Sequence, residues 1–389
     1  MKTLNTKHIL LLILILSTIA LPAQDKLVFN GYISTMGQST FNTDSAIWDE
    51  TVHNRLNLTY YANDKLTFHL EGRNQFIWGE TMKNNPGYAD NFVKDKGWLN
   101  LNFNWFENKN NLLNTQIDRA FVEYVYGKFE ISIGRQRINW GRSLVWNPND
   151  LFNAFSYYDF DYIERPGSDA FRAQYYTGMA SSVEMIAKLD SGNNVTIAGL
   201  TKINKWGYDL QFLAGYANSE ELVIGAGWEG NIKALGFRGE MTYYHPEKNF
   251  IDTSGSFLAS VSLDYLWPNN ITTQVEFLYN DAKNTIDLSD TRALYSSPAN
   301  SKSLSFSEYN FYGNISWQTL PILTINTAGM YYTDYDGYFL MPGVDLFLSD
   351  NMNFSLMYQF MSLKMYNPFE QKYQRIGSNM AFVRLKWNF

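Results

Sequence analysis

Ala381-Phe382-Val383-Arg384-Leu385-Lys386-Trp387-Asn388-Phe389 closes the chain, and its side chains sort into two sets by alternation. Ala381, Val383, Leu385, Trp387 and Phe389 share one face, while Phe382, Arg384, Lys386 and Asn388 share the other. A period of two is the signature of a strand, whose successive side chains point to opposite sides. One face suits lipid and the other suits mostly water. Similar alternating segments of about ten residues recur from Leu27 onward, bounded by Gly, Asn, Asp or Pro, with no stretch of helical period between them. The chain therefore reads as all-β.

The other end of the chain has a different pattern. Lys2 and Lys7 precede an apolar run from Ile9 to Leu21, then Leu21-Pro22-Ala23 and the polar Gln24-Asp25-Lys26. That order predicts a secretory signal peptide over Met1 to Ala23, and the run is shorter than the ~20 residues a spanning helix needs. With no cysteine in the sequence, a lipid-anchored N-terminus and a disulfide framework are both ruled out. The whole chain carries −7; without Lys2 and Lys7 the remainder carries −9, which argues against nucleic acid as a partner.

A mean hydropathy of −0.30 looks soluble, yet 17% of residues are aromatic, with 27 Tyr, 27 Phe and 11 Trp. A transmembrane barrel reconciles the two, because lipid-facing and water-facing residues alternate while Tyr and Trp gather at both interfaces. The terminal aromatic, with apolar residues two apart behind it, resembles the assembly signal of outer-membrane barrels. Short turns are predicted at Ala62 to Lys65, Gly127, Gly178 to Ser181, Asn204 to Trp206, Gly230-Asn231, Pro268 to Asn270, Leu320-Pro321 and Ser349 to Asn351. They alternate with connections that include Trp78 to Leu113, Asn139 to Asp169, Ala282 to Leu304 and Leu363 to Gly377. Eight such turns plus a first and a last strand give about eighteen strands in one antiparallel up-and-down barrel, sixteen being the nearest rival.

If aromatic and aliphatic residues face lipid, the residues between them face the lumen. Leu56, Leu58 and Tyr60 outward leave Arg55 inward, and Phe68 and Leu70 outward leave His69, Glu71, Arg73 and Gln75 inward. The same bookkeeping turns in Arg119 and Arg172, and a bulge at Gly134 would redirect Arg135 and Arg137. With Arg384 and Lys386 these form a basic wall. Across from it, Glu184, Glu240, Asp264, Glu276 and Glu308, with Arg238, form a mostly acidic one. Two such walls would set a transverse field on a permeating solute. The alternative is that the same charges pair across strands and hold the barrel together.

The connection from Asn139 to Asp169 is too aromatic for a solvated loop. Trp140, Trp146, Phe152, Phe155, Tyr157, Tyr158, Phe160 and Tyr162 are interleaved with Arg142, Asp150, Glu164 and Arg165. Such a segment must pack on something, and the interior wall of a wide barrel is expected to receive it and so be constricted; a compact extracellular loop is the other reading. Asn147 or Asn149 can cap a short turn at Pro148-Asn149-Asp150. The motifs Gly134-Arg135-Gln136, Asn139-Trp140-Gly141, Asn147-Pro148 and Arg165-Pro166-Gly167 resemble those of alginate-export-type outer-membrane channels and related porin-like barrels. The resemblance covers about a tenth of the chain. It implies an arginine-rich lumen narrowed by loops and passing anionic solutes or polysaccharide, with Arg135, Arg137, Arg172 and the Asn147 to Asp150 turn lining the pore or fixing the loop. The inward acids depart from that pattern.

Covalent chemistry has little to work with. His53, His69 and His245 are the histidines after the leader, so neither a His/Cys metal cluster nor a thiol nucleophile is available. No phosphate-binding loop, haem motif or calcium-loop signature is present. The expectation is a passive, selective outer-membrane channel without cofactor, exported through the Sec pathway. Its partners would be lipid, lipopolysaccharide, the barrel-assembly machinery reading Phe389 and a small solute, with an oligomer possible. A plugged barrel serving as a scaffold or secretion subunit is the alternative, and an enzyme a distant third.

Overall fold

The computed structural model describes residues 26–41, 46–85, 87–153, 157–158, 161, 164–282, 301–302, 304–367 and 370–389. The expected signal peptide, and Phe155, Phe160 and Tyr162 of the aromatic connection, lie outside them. Among the described residues nineteen strands follow one another: β1 Leu27–Phe41, β2 Ala46–Asn63, β3 Leu66–Gly79, β4 Asn102–Asn108, β5 Asn111–Tyr126, β6 Phe129–Gln136, β7 Ser168–Tyr176, β8 Ser182–Leu189, β9 Val195–Lys205 and β10 Tyr208–Ala217. The series continues with β11 Glu221–Ile232, β12 Leu235–Pro246, β13 Ser256–Leu266, β14 Ile271–Asn280, β15 Tyr309–Leu320, β16 Leu323–Tyr332, β17 Gly337–Ser349, β18 Met352–Asn367 and β19 Lys372–Asn388. Two short helices, α1 Glu80–Asn84 and α2 Tyr88–Phe92, interrupt the order before β4. Among the described residues no helix is long and apolar enough to cross a membrane; the crossing is made by strands.

Eighteen of the strands close a ring. Each pairs antiparallel with its neighbours, and β19 pairs with β1 from Tyr32↔Asn388 to Phe41↔Asn379. At the foot of that seam Gly31 and Phe389 exchange two backbone hydrogen bonds of 3.0 Å. Closure leaves no sheet edge in the membrane, where an unmet backbone group is costly. The nineteenth strand, β4, pairs only with β5, along Asn111 to Gln116 and beyond the Ala120 to Tyr126 stretch that pairs with β6.

All eight predicted tight turns join the expected strand pairs at one end of the barrel. At β9–β10 the turn is Trp206-Gly207, with φ of 59° and 80°, the two left-handed residues that a twisted hairpin needs. One turn moves: β11 runs to Ile232, so the reversal falls at Lys233-Ala234 rather than at Gly230-Asn231. The predicted long connection Leu363 to Gly377 is mostly strand, with β18 and β19 paired out to Asn367↔Lys372. Beyond the bilayer a strand no longer needs an apolar outer face, so its pattern fades while its hydrogen bonds continue.

The outer face matches the reading of the last strand: Val383, Leu385 and Trp387 are exposed, as are Leu56, Tyr60, Phe68 and Leu70. The inner face does not follow the rule that aliphatic means lipid. Leu213, Leu258, Leu278, Met330, Phe339, Met361 and Leu363 are buried in two interior apolar clusters. They are the wall on which the connection between β6 and β7 packs.

Candidate functional site

The described residues of that connection, 137–153, 157–158, 161 and 164–167, pack inside the barrel. Two wall glutamates hold its first half. Glu240 on β12 accepts the backbone N–H groups of Arg142 and, at 2.7 Å, Ser143 through Oε1, and that of Asn149 at 2.9 Å through Oε2. Glu276 on β14 accepts Leu144 and Val145 through Oε2, both at 3.0 Å, and Trp146 through Oε1 at 2.7 Å. Six amides converge on two buried carboxylates, the arrangement in which successive N–H groups form a nest for an anion. Around it Gln211 Nε2 donates to Trp140 O at 2.8 Å, and Thr242 Oγ1 to Asn149 Oδ1 at 2.6 Å. Glu240 and Glu276 therefore anchor the loop, which differs from their expected role as pore charges.

The aromatic residues of the loop seat on the inner apolar surface. Trp140 packs edge-on against Phe152, centroids 4.8 Å apart, among Ile138, Ile186, Leu200 and Leu213. Trp146, Tyr157 and Tyr158 lie against Leu278, Tyr312, Met330, Tyr332 and Phe339, and the Tyr157 and Tyr312 hydroxyls are 3.2 Å apart. Asp150 is enclosed at the loop's core, with the Asn153 N–H donating to it at 3.4 Å. Burial pushes its carboxyl up to about 6, against that hydrogen bond and the charges of Arg165 and Arg137. Asn147 is buried, its Nδ2 donating to Val145 O at 3.3 Å.

The far end of the loop meets the strands around the seam. Tyr32 on β1 donates to Glu164 Oε2 at 3.2 Å, and Arg119 on β5 donates to the carbonyls of Glu164 at 2.7 Å and Arg165 at 3.0 Å. Asp161 lies 3.4 Å from His53 Nδ1 on β2 and 3.5 Å from Arg384 Nη1 on β19.

The eight cations of the expected basic wall separate by how they are held. Arg55 is gripped by Asp118 at 2.5 Å and Glu71 at 2.6 Å, and Arg172 by Glu184 at 2.7 Å and Glu130 at 3.2 Å. Arg135 sits in a rim cage of Asp95 at 2.6 Å, Asp169 at 2.7 Å and the Leu99 carbonyl. The pairing of β5 with β6 runs unbroken through Gly134, so the expected bulge is absent; against β3, a bulge in β5 makes Asp118 the extra residue opposite Glu71/Gly72. Arg137 lies past the end of β6 and is exposed. Arg73 is buried on β3 and Arg119 holds the loop carbonyls.

Of the cations set within strands, Arg384 and Lys386 are held at longer range than Arg55, Arg135 and Arg172. Arg384 has Asp161 and Ser355 Oγ, each at 3.5 Å, and Lys386 Nζ lies 3.8 Å from the Tyr32 ring centroid. Among the described residues no carboxylate comes within 4.0 Å of Lys386.

The expected acidic wall is mostly spoken for. Glu184 is tied to Arg172, Asp264 accepts from Arg238 at 2.8 Å, and Arg142 reaches Glu229 at 3.2 Å. Glu308 precedes β15 at the rim, where its N–H donates to Asp334. Sequence reading missed Asp118, because a bulge puts it out of phase, and Gln211, Tyr32 and His53 as loop partners, because nothing local marks them. No group of His, Asp and Glu able to hold a metal occurs among the described residues.

No family model matches the chain, and neither does any curated protein. Solved outer-membrane porins share its fold. OccAB2 of Acinetobacter baumannii superposes with a TM-score of 0.60 at 8% identity, covering 94% of this chain and 98% of its own. OccK11 (OpdR) of Pseudomonas aeruginosa gives 0.59 at 8% identity over 94% and 97%, and OccD3 (OpdP) of the same organism 0.54 at 9% over 93% and 91%. The likeness is one of architecture: an eighteen-strand porin-like barrel.

Proposed function

We propose that this porin-like barrel is an outer-membrane channel for passive, selective diffusion of small anionic solutes or oligosaccharides. The observation that carries the reading is the contrast between the loosely held Arg384 and Lys386 and the tightly paired Arg55, Arg135 and Arg172. A cation locked between two carboxylates offers a passing solute little field, whereas a loosely held one beside a narrowed path offers attraction without a deep trap. The motif resemblance to alginate-export-type channels agrees with an anionic cargo, and acids such as Glu229 and Asp345 argue against alginate itself. Export through the Sec pathway, assembly guided by the strand ending at Phe389 and a surrounding of lipopolysaccharide belong to the same proposal.

Purified protein in a planar bilayer is expected to give discrete conductance steps with anions favoured over cations. Silence in wild type and after the Glu240→Ala/Glu276→Ala double change would overturn it.

One observation favours a second reading, a plugged barrel acting as scaffold. The loop touches β1, β2, β5, β8, β10–β17 and β19, much of the circumference. Conductance that appears only after the double change would support the plug.

A further inference from the structure

Around most of the ring the outward positions are large and apolar: Ile133, Phe212, Ile224, Val275 and Ile315 are all more than half exposed. One sector differs. On β1, β2, β3 and the far half of β5, that face carries Thr35, Gly37, Asn54, Gly72, Asn74 and Thr115 among the apolar Ile33, Leu56, Phe76 and Ile117. Register makes them neighbours, with Asn54 opposite Asn74 and Asn74 opposite Thr115.

Their side chains form a directed relay. Trp105 Nε1 donates to Thr115 Oγ1 at 2.8 Å, Thr115 to Asn74 Oδ1 at 2.5 Å, and Asn74 Nδ2 to Asn54 Oδ1 at 2.7 Å. The relay ends on the Asn54 amide N–H groups, which have no acceptor among the described residues. Asn54 lies six residues from Tyr60 and six from Trp48, exposed aromatics on the same face of β2. At ~3.3 Å per residue and a tilt of ~40°, it is about 15 Å from each, near the middle of the apolar belt. Acyl chains offer no acceptor there.

The same sector is hollowed. One recess is lined by Phe76, Trp78, Glu80, Lys83 and Asn110 beyond the relay, and another by Leu58, Phe68, Leu70, Ala120, Val122 and Ile133 on its other side. A Cβ at Gly37 would meet nothing within 4 Å. Small residues and hollows allow a neighbouring barrel to approach closely.

We propose that this sector is a two-fold contact with a second copy of this chain. An axis along the membrane normal brings each level of one copy against the same level of the other, so the polar level meets the polar level. Asparagine and threonine each carry donor and acceptor, so the patch is complementary to itself, as an isologous contact requires. The exposed Trp105 of each copy flanks the recess at Phe76 and Trp78 of the other.

The absence of cysteine makes the test direct. Thr35→Cys and Asn74→Cys, made singly and oxidised in intact outer membranes, are expected to give a product of twice the monomer mass, while Ile315→Cys on another sector gives none. Gly72→Trp, which puts a bulky ring between the two recesses, should lower the Thr35→Cys yield at least fivefold and shift the mass in mild detergent from dimer to monomer, heat-modifiable migration confirming a folded barrel. No product from either position, equal product from Ile315→Cys, or a product of another mass, from another protein or from lipopolysaccharide, would overturn it.

Discussion

Arg55 and Lys386 carry the same formal charge in the same barrel and should respond oppositely to removal. Arg55 lies between Asp118, whose side chain is fully buried, and Glu71. Its change to alanine strands a buried carboxylate, which costs on the order of 3–5 kcal/mol. Arg55→Ala is therefore expected to lower the urea midpoint of the purified barrel with little change in ion selectivity. Arg384→Ala/Lys386→Ala should leave that midpoint nearly unmoved and lower anion-over-cation permeability severalfold, read as a reversal potential under a salt gradient. Asp150 gives a pH signature. Its carboxyl is raised from 3.8 to about 6, so the folded chain holds its proton more firmly than the unfolded one. The sign follows: stability from this group is fully present below 3.8 and is lost as pH rises through about 6. Asp150→Asn is expected to raise the thermal midpoint at pH 7 and not at pH 4; a gain of equal size at both would remove burial of the charge as the cause. Sequence marked Arg55, Asp150 and Lys386 as residues of interest, but nothing in it ranked them, because ranking depends on partners far along the chain.

At the scale of elements, the decisive one is the connection between β6 and β7. Its hydrogen bonds to Glu240 and Glu276 are charge-assisted, each about 1.5–3 kcal/mol in a buried setting. Removing one carboxylate leaves the other and the aromatic packing in place. The single changes Glu240→Ala and Glu276→Ala are expected to raise current noise modestly, and the double change to raise single-channel conductance severalfold. Equal conductance in wild type and double mutant would mean that the aromatic contacts alone hold the loop. That this segment turns inward was legible from its composition, since so many aromatic residues need a surface. Which carboxylates receive its amides was not, because Glu240 and Glu276 look like any inward acid on an alternating strand. The same limit applies to the inner apolar clusters: Leu278 shares the inward face of Glu276 on β14, but nothing local shows that it packs against the loop.

For the whole molecule, closure is the property on which the rest depends. Phe389 and Gly31 join the last strand to the first, and the apolar face of β19 lies against lipid. Leu385→Arg on that face is expected to lower folding into lipid vesicles by about 2–4 kcal/mol if it lies near mid-bilayer, as a charge there must be desolvated. Phe382→Arg, on the other face of the same strand, should be milder; equal penalties would contradict the assignment of faces. The sequence by itself determined what depends on periodicity and composition: an all-β chain, the strand pairs that eight tight turns join, about eighteen strands, and the lipid face of strands such as β2, β3 and β19. These are local, because a strand's two faces and a turn's left-handed residues are written within a few positions. Only the tertiary structure decided which inward charges are spent on one another, where the 137–167 connection is pinned, that Asp118 is bulged into reach of Arg55, and that Asn54, Asn74 and Thr115 share one outer sector. Each of those depends on pairs of residues tens of positions apart, brought together by registers that alternation leaves open.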